Sequence, residues 1–155
     1  MNVSRCIILE SGTRVRSADR ELADGEALWK RIELLTRDDQ ILLELSIRGG
    51  ASNRQIGRLL NRSPGSVSRR LQRLGRRLHD PLVLALLQPN CPLEAEFRQI
   101  GVERFLCGTP MPVLAQKHQL TRAKVRAILL LIKGWHRGHS RSSANGRGGM
   151  DHARR

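Results

Sequence analysis

An all-α fold, built from two tandem copies of one short helical module, is what this 155-residue chain predicts. Three observations predict it. Apolar residues recur at helical rather than strand spacing from residue 19 to residue 135, and nothing reads as a strand of useful length. Turn and cap residues punctuate that pattern at short intervals. The chain also matches itself at an offset of 58 residues: Gly50 falls on Gly108, Gly57 on Ala115, Val67 on Val125, Leu71 on Leu129 and Leu74 on Ile132.

Residues 1–18 show no sustained periodicity and are expected to form a mobile arm. The N-terminal helical region, 19–88, opens at Asp19 with a broad apolar stripe of Leu22, Leu28, Trp29, Ile32 and Leu35. Thr36 followed by Asp39 reads as a helix start, the hydroxyl capping free N–H groups and the acids complementing the dipole. That helix, 37–48, is stopped by Gly49 and Gly50. A helix over 52–60 and another over 64–79 follow. Between them lie Asn61, suited to a left-handed turn, Ser63, suited to cap, and Pro64, suited to a first helical turn. Asp80-Pro81 ends the third helix and starts a short one, 82–87. The Pro-containing stretch 89–92 reads as a linker. The second module, 93–135, has expected helices over 93–107, 113–118 and 122–135. The Gly-, Ser- and Arg-rich remainder, 136–155, is expected to be a disordered basic tail.

The register of the repeat has a steric reason. When two short helices cross closely, the first needs a small residue at its centre, and Gly57 and Ala115 stand there. Four residues on, the chain must turn sharply, at Asn61 and Gln119. Six further on, an apolar side chain must point back into the core, at Val67 and Val125. Ile56 and Leu60 flank the first unit, and Leu114, Leu120 and Ile128 the second. This is the arithmetic of a helix-turn-helix. Arg62, where a hydrophobe is expected, and Gln119, a poorer turn residue than Asn or Gly, depart from it.

The formal net charge is +14, from 28 Lys and Arg against 14 Asp and Glu. Nine of the acids lie between Glu10 and Glu44, whereas Ser52 to His79 holds eight arginines and no acid. An excess so placed points to a polyanionic partner, because neutralised phosphates release condensed counterions.

The stretch LTRDDQILLELSIRGGASNRQIGRLLNRSPGSVSRRLQRLGRRL, from Leu35 to Leu78, resembles the promoter-reading fourth region of bacterial sigma factors. It is also similar to the output domains of LuxR-type regulators. The segment SPGSVSRRL carries most of the likeness. The resemblance implies sequence-specific binding of duplex DNA by a bacterial, sigma-factor-like transcription regulator of the winged-helix-like superfamily. A complete promoter-melting sigma factor is not expected, given the short upstream stretch and the absence of Tyr.

In such a motif the N-terminal half of the second helix enters the major groove. Position therefore assigns Ser66, Ser68, Arg69, Gln72 and Arg73 to the groove, with Arg69 and Arg73 able to pair with guanine and Gln72 with adenine. Arg54, Gln55 and Arg62 are placed for phosphates. Arg76 and Arg77 read equally as phosphate contacts or solvated charge. In the second unit Arg122, Lys124 and Arg126 face outward, but Ile128 to Ile132 is an unbroken aliphatic run. It is expected to pack against the first unit or form a homodimer interface rather than read a second groove. Trp29 and Trp135 read as core or interface anchors.

Catalysis is not expected. The five histidines have no metal-ligand spacing, Cys107 with His118 lacks an orienting third group, and no glycine-rich phosphate loop follows a strand. No cofactor or metal is implied. Cys6, Cys91 and Cys107 suggest neither a disulfide framework nor a zinc ribbon, and no stretch approaches a membrane span of about 18 apolar residues. A cytoplasmic, nucleoid-associated protein is the expectation. Two other partners fit the same residues: RNA polymerase or another transcription component, docked as protein to protein, and RNA, bound through the Arg-rich segments.

Overall fold

The computed structural model describes residues 17–145, with side chains over 24–139, and every regular element among them is helical. The expected N-terminal arm lies outside these residues except at its end, where the first helix begins. The chain divides into two compact units after His79.

The first unit holds α1 (Ser17–Glu33), α2 (Arg37–Ile47), α3 (Asn53–Leu59) and α4 (Pro64–Leu78). At the head of α2, Asp38 and Asp39 complement the dipole as expected. The Thr36 hydroxyl makes no backbone cap, however; it donates to Asp39 Oδ2 at 3.1 Å. Gly50, at φ 57°, turns the chain out of α2. Ser52 and Gln55 close a reciprocal capping box on α3, and Ser63 accepts from the Ser66 N–H to start α4. Ile32, Leu35, Leu42, Leu43, Ile56, Val67, Leu74 and Leu78 supply the core. Each contributes about 1.5–3 kcal/mol relative to an exposed side chain. The Arg48 guanidinium lies 4.0 Å from the centre of the Trp29 ring, joining the end of α2 to α1.

The second unit begins with α5 (Pro81–Leu86), whose N-cap Asp80 accepts from the Leu82 N–H at 2.8 Å. Helix α6 (Ala95–Val102) continues into a π-helical turn, Glu103–Cys107, and α7 (Met111–Lys117) and α8 (Arg122–Asn145) follow. Leu86, Ile100, Leu114, Ala115, Val125, Leu129 and Ile132 form its core, with Cys91, Leu93 and Trp135 packed against it. The break between units therefore falls before α5 rather than at 89–92. Leu86 is a core residue of the second unit, so the Pro-containing stretch is an internal loop.

Helix α8 also runs ten residues beyond Trp135, through part of the expected tail; residues 146–155 lie outside the described chain. Trp135 and His136 are half-buried, and the Trp135 and His139 rings stack one turn apart at 5.7 Å. A helix already nucleated on the core can extend through such residues, although Gly134 and Gly138 each oppose it by about 1 kcal/mol relative to alanine.

The π-helical turn has a chemical anchor. Glu103 accepts from Lys117 Nζ at 2.8 Å and from His118 Nε2 at 3.2 Å, and its side chain is 13% exposed. Burial raises the carboxyl, but hydrogen bonds from Lys117, His118 and Gln99 and the Lys117 charge outweigh it, leaving the acid below its usual range. A depressed folded-state pKa contributes stability above the unfolded value, lost as pH falls through the folded one. Melting temperatures taken from neutrality down through about pH 4 should therefore show an acid-side loss in the wild type. Glu103→Gln should melt lower at neutral pH and lose less on acidification; parallel curves would remove Glu103 as the source.

Candidate nucleic-acid interface

Helices α3 and α4 meet at a turn whose backbone is dictated locally. Asn61 sits at φ 51°, and the Arg62 N–H donates to the Gly57 carbonyl at 2.8 Å. A Cβ on Gly57 would stand 2.5 Å from the Arg62 carbonyl oxygen, so a side chain there would force this turn to shift. The second unit repeats the left-handed turn and its hydrogen bonds at the same offset, with Ala115 in place of Gly57. Gln119 sits at φ 53°, Leu120 N–H donates to the Ala115 carbonyl at 2.9 Å, and Thr121 caps Lys124 N–H as Ser63 caps Ser66 N–H, each at 3.2 Å. Gln119 thus accepts a conformation that costs a side-chain-bearing residue about 1–2 kcal/mol. Arg62, the other departure from the pattern, is solvent-exposed, whereas its counterpart Leu120 packs on the core.

Helix α4 turns Val67, Leu74 and Leu78 inward. Arg69, Gln72, Arg73 and Arg76 are exposed on the opposite side, and Ser66 and Ser68 are half-buried at its start. Gly65 is also exposed, and a Cβ there would meet nothing within 4 Å. Arg70 is withdrawn from this surface. Its Nε donates to Asp39 Oδ1 at 2.7 Å, and Asp39 is 6% exposed at the head of α2. Arg70 thus helps hold the helix in place, while Arg69, Arg73 and Arg76 carry charge outward.

Arg54, Arg58 and Arg62, with Gly57, Asn61, Ser63 and Pro64, line a shallow concavity beside the turn. Arg58 was not among the residues expected at the interface. Its spacing of one helical turn from Arg54, on an acid-free segment, was the available signal. Gln55 is exposed but occupied, because its side-chain oxygen accepts from both the Ser52 N–H and hydroxyl at 2.8 Å. Only its NH2 group is left to face a ligand.

Arg122, Lys124 and Arg126 are exposed around the first turns of α8. Beyond them the two units diverge. The aliphatic run splits, with Leu129 and Ile132 in the core, Ile128 half-buried, and Leu130 and Leu131 exposed. The offset places Arg69, Gln72, Arg73 and Arg76 of α4 on Ala127, Leu130, Leu131 and Gly134 of α8. One scaffold therefore presents a cationic outer face in the first unit and an apolar one in the second.

A protein-family model described as a helix-turn-helix domain matches residues 33–74. Residues 33–74 are a helix-turn-helix of the general kind. The match spans α2, α3 and most of α4 and is to the general domain, without singling out sigma-factor region four or LuxR-type domains. No curated protein and no solved structure matches the chain. Among the described residues, no helix is long and apolar enough to cross a membrane.

Proposed function

We propose that the first helix-turn-helix binds duplex DNA sequence-specifically, as a non-catalytic, sigma-factor-like regulator of transcription in the bacterial cytoplasm. The observation that carries this reading is the acid-free outer face of α4, on which Arg69, Arg73 and Arg76 are exposed while Arg70 is paired with Asp39. In this reading Ser66, Ser68, Arg69, Gln72 and Arg73 enter the major groove, and Gly65, exposed and without a side chain, allows close approach to the duplex. Arg54, Arg58, Arg62 and the free amide of Gln55 hold phosphates, fixing register without reading bases. Arg122, Lys124 and Arg126, exposed around the first turns of α8, are the phosphate-contact candidates of the second unit taken by itself.

Fluorescence anisotropy of the full chain against mixed duplexes, single-stranded DNA and structured RNA, at several salt concentrations, tests it. The expected result is preference for duplex and a salt slope reflecting about five or more phosphates. Equal binding to all three would make the charge generic and overturn the reading.

A further inference from the structure

Helix α8 carries an outer face that its own unit does not use. Leu130 is 61% and Leu131 48% exposed, and Ala123, Ala127, Gly134 and Gly138 are exposed on the same side. The first unit serves as an internal control. It builds the same turn with Arg, Gln, Arg and Arg at the positions equivalent to 127, 130, 131 and 134, so the scaffold does not demand apolar residues there. Nor does packing explain Gly134, since a Cβ at that position meets nothing within 4 Å. A helix-interior glycine costs about 1 kcal/mol relative to alanine. A close approach from outside is what a glycine there permits.

The charge around this face restricts what can approach. Not one of the 24 residues of α8 is acidic. Arg126 and Arg137 are exposed along its edge, with Lys133 between them, its Nζ 5.6 Å from the centre of the Phe105 ring. A second copy laid along α8 would set these cations against their own kind. DNA would satisfy them but leave two leucines against phosphates. From Ala123 to Gly138 the face is about 22 Å long, room for about four helical turns.

We infer that the outer face of α8 docks an amphipathic helix of another protein, one with an apolar ridge flanked by carboxylates. Leu130 and Leu131 bury against the ridge, Ala127 and Gly134 let the backbones close, and Lys133 and Arg137 pair with the flanking acids. The inference is independent of DNA reading by α4.

The test uses the full chain and a labelled synthetic peptide of about four turns, with leucines at helical spacing and glutamates on both flanks. A scrambled peptide of equal composition controls for charge. The ridged peptide should bind at least about tenfold tighter than the scrambled one, a difference of about 1.4 kcal/mol. Leu130→Ser with Leu131→Ser should remove that preference without moving duplex affinity or the circular-dichroism spectrum. Gly134→Glu, at a position open to solvent, should remove it too, by blocking the approach and repelling the acids. Equal binding of the two peptides, or a preference that survives in these variants, overturns the inference. So does leucine-dependent binding to phosphatidylglycerol vesicles in place of the peptide, which would make the occupant a lipid surface. Concentration-dependent sedimentation abolished by the leucine variants would make it a second copy, with the same consequence.

Discussion

Removing both Arg69 and Arg73 is expected to lower specific duplex affinity by about thirtyfold or more. Each side chain can offer two parallel donors to a guanine edge, and one such pair discriminates by about 1–3 kcal/mol. Two of them sum to at least about 2 kcal/mol, and both residues are exposed, so little folding energy is at stake. Thermal stability should shift by no more than about 0.5 kcal/mol. Arg58→Ala provides the contrast: as a phosphate contact it should weaken all duplexes alike and reduce the salt slope by about one. Anisotropy with the preferred duplex and an unrelated one separates the two behaviours. A double variant that keeps its preference would remove α4 from the reading surface and leave the cationic face as bulk charge. Arg70 is not interchangeable with these residues. Because it is tied to Asp39, its loss should disturb the seating of α4 rather than a base contact.

Gly57→Val is expected to disrupt the first unit. The new Cβ would lie 2.5 Å from the Arg62 carbonyl oxygen, a backbone atom that cannot swing aside. That carbonyl belongs to the turn residue whose N–H already donates to Gly57, so relief means opening the turn. The second unit indicates how much a Cβ alone demands, because Ala115 occupies the equivalent position with its Leu120 hydrogen bond intact at 2.9 Å. Gly57→Ala should therefore cost about 1–3 kcal/mol, as overpacking usually does, and the branched valine more. Hydrogen exchange read by mass spectrometry localises the effect. Protection should fall across Asn53 to Leu78 and hold across α6 to α8, whose core is built from other residues. Unchanged exchange in α3 and α4 would mean that the close crossing is not what maintains the turn.

The parts of this architecture that were legible beforehand share a physical origin. Ser52, Ser63 and Asp80 cap the helices they precede, because a cap is a contact between residues two or three apart. Asn61 and Gln119 share a left-handed backbone because the offset of 58 residues was readable in their neighbours. Where the structure differs from the local pattern, the deciding partner is distant in sequence. Thr36 looked like a backbone cap, but Asp39, drawn toward Arg70 some thirty residues on, took its hydroxyl. The composition after Trp135 looked like a tail, but the anchored half of α8 carried the helix through it.

Sequence by itself determined the helical class, the duplicated turn, the close crossing at Gly57 and the concentration of positive charge around it. These follow from backbone sterics, from capping and from counts of residues, none of which depends on what lies opposite. Only the tertiary structure decided which arginine of α4 is held inward, which leucines of α8 face solvent, and that Glu103, Lys117 and His118 converge beneath a π-helical turn. Burial and charge pairing are properties of the packed neighbour, and residues of one type in one run acquire different chemistry from the surface they meet.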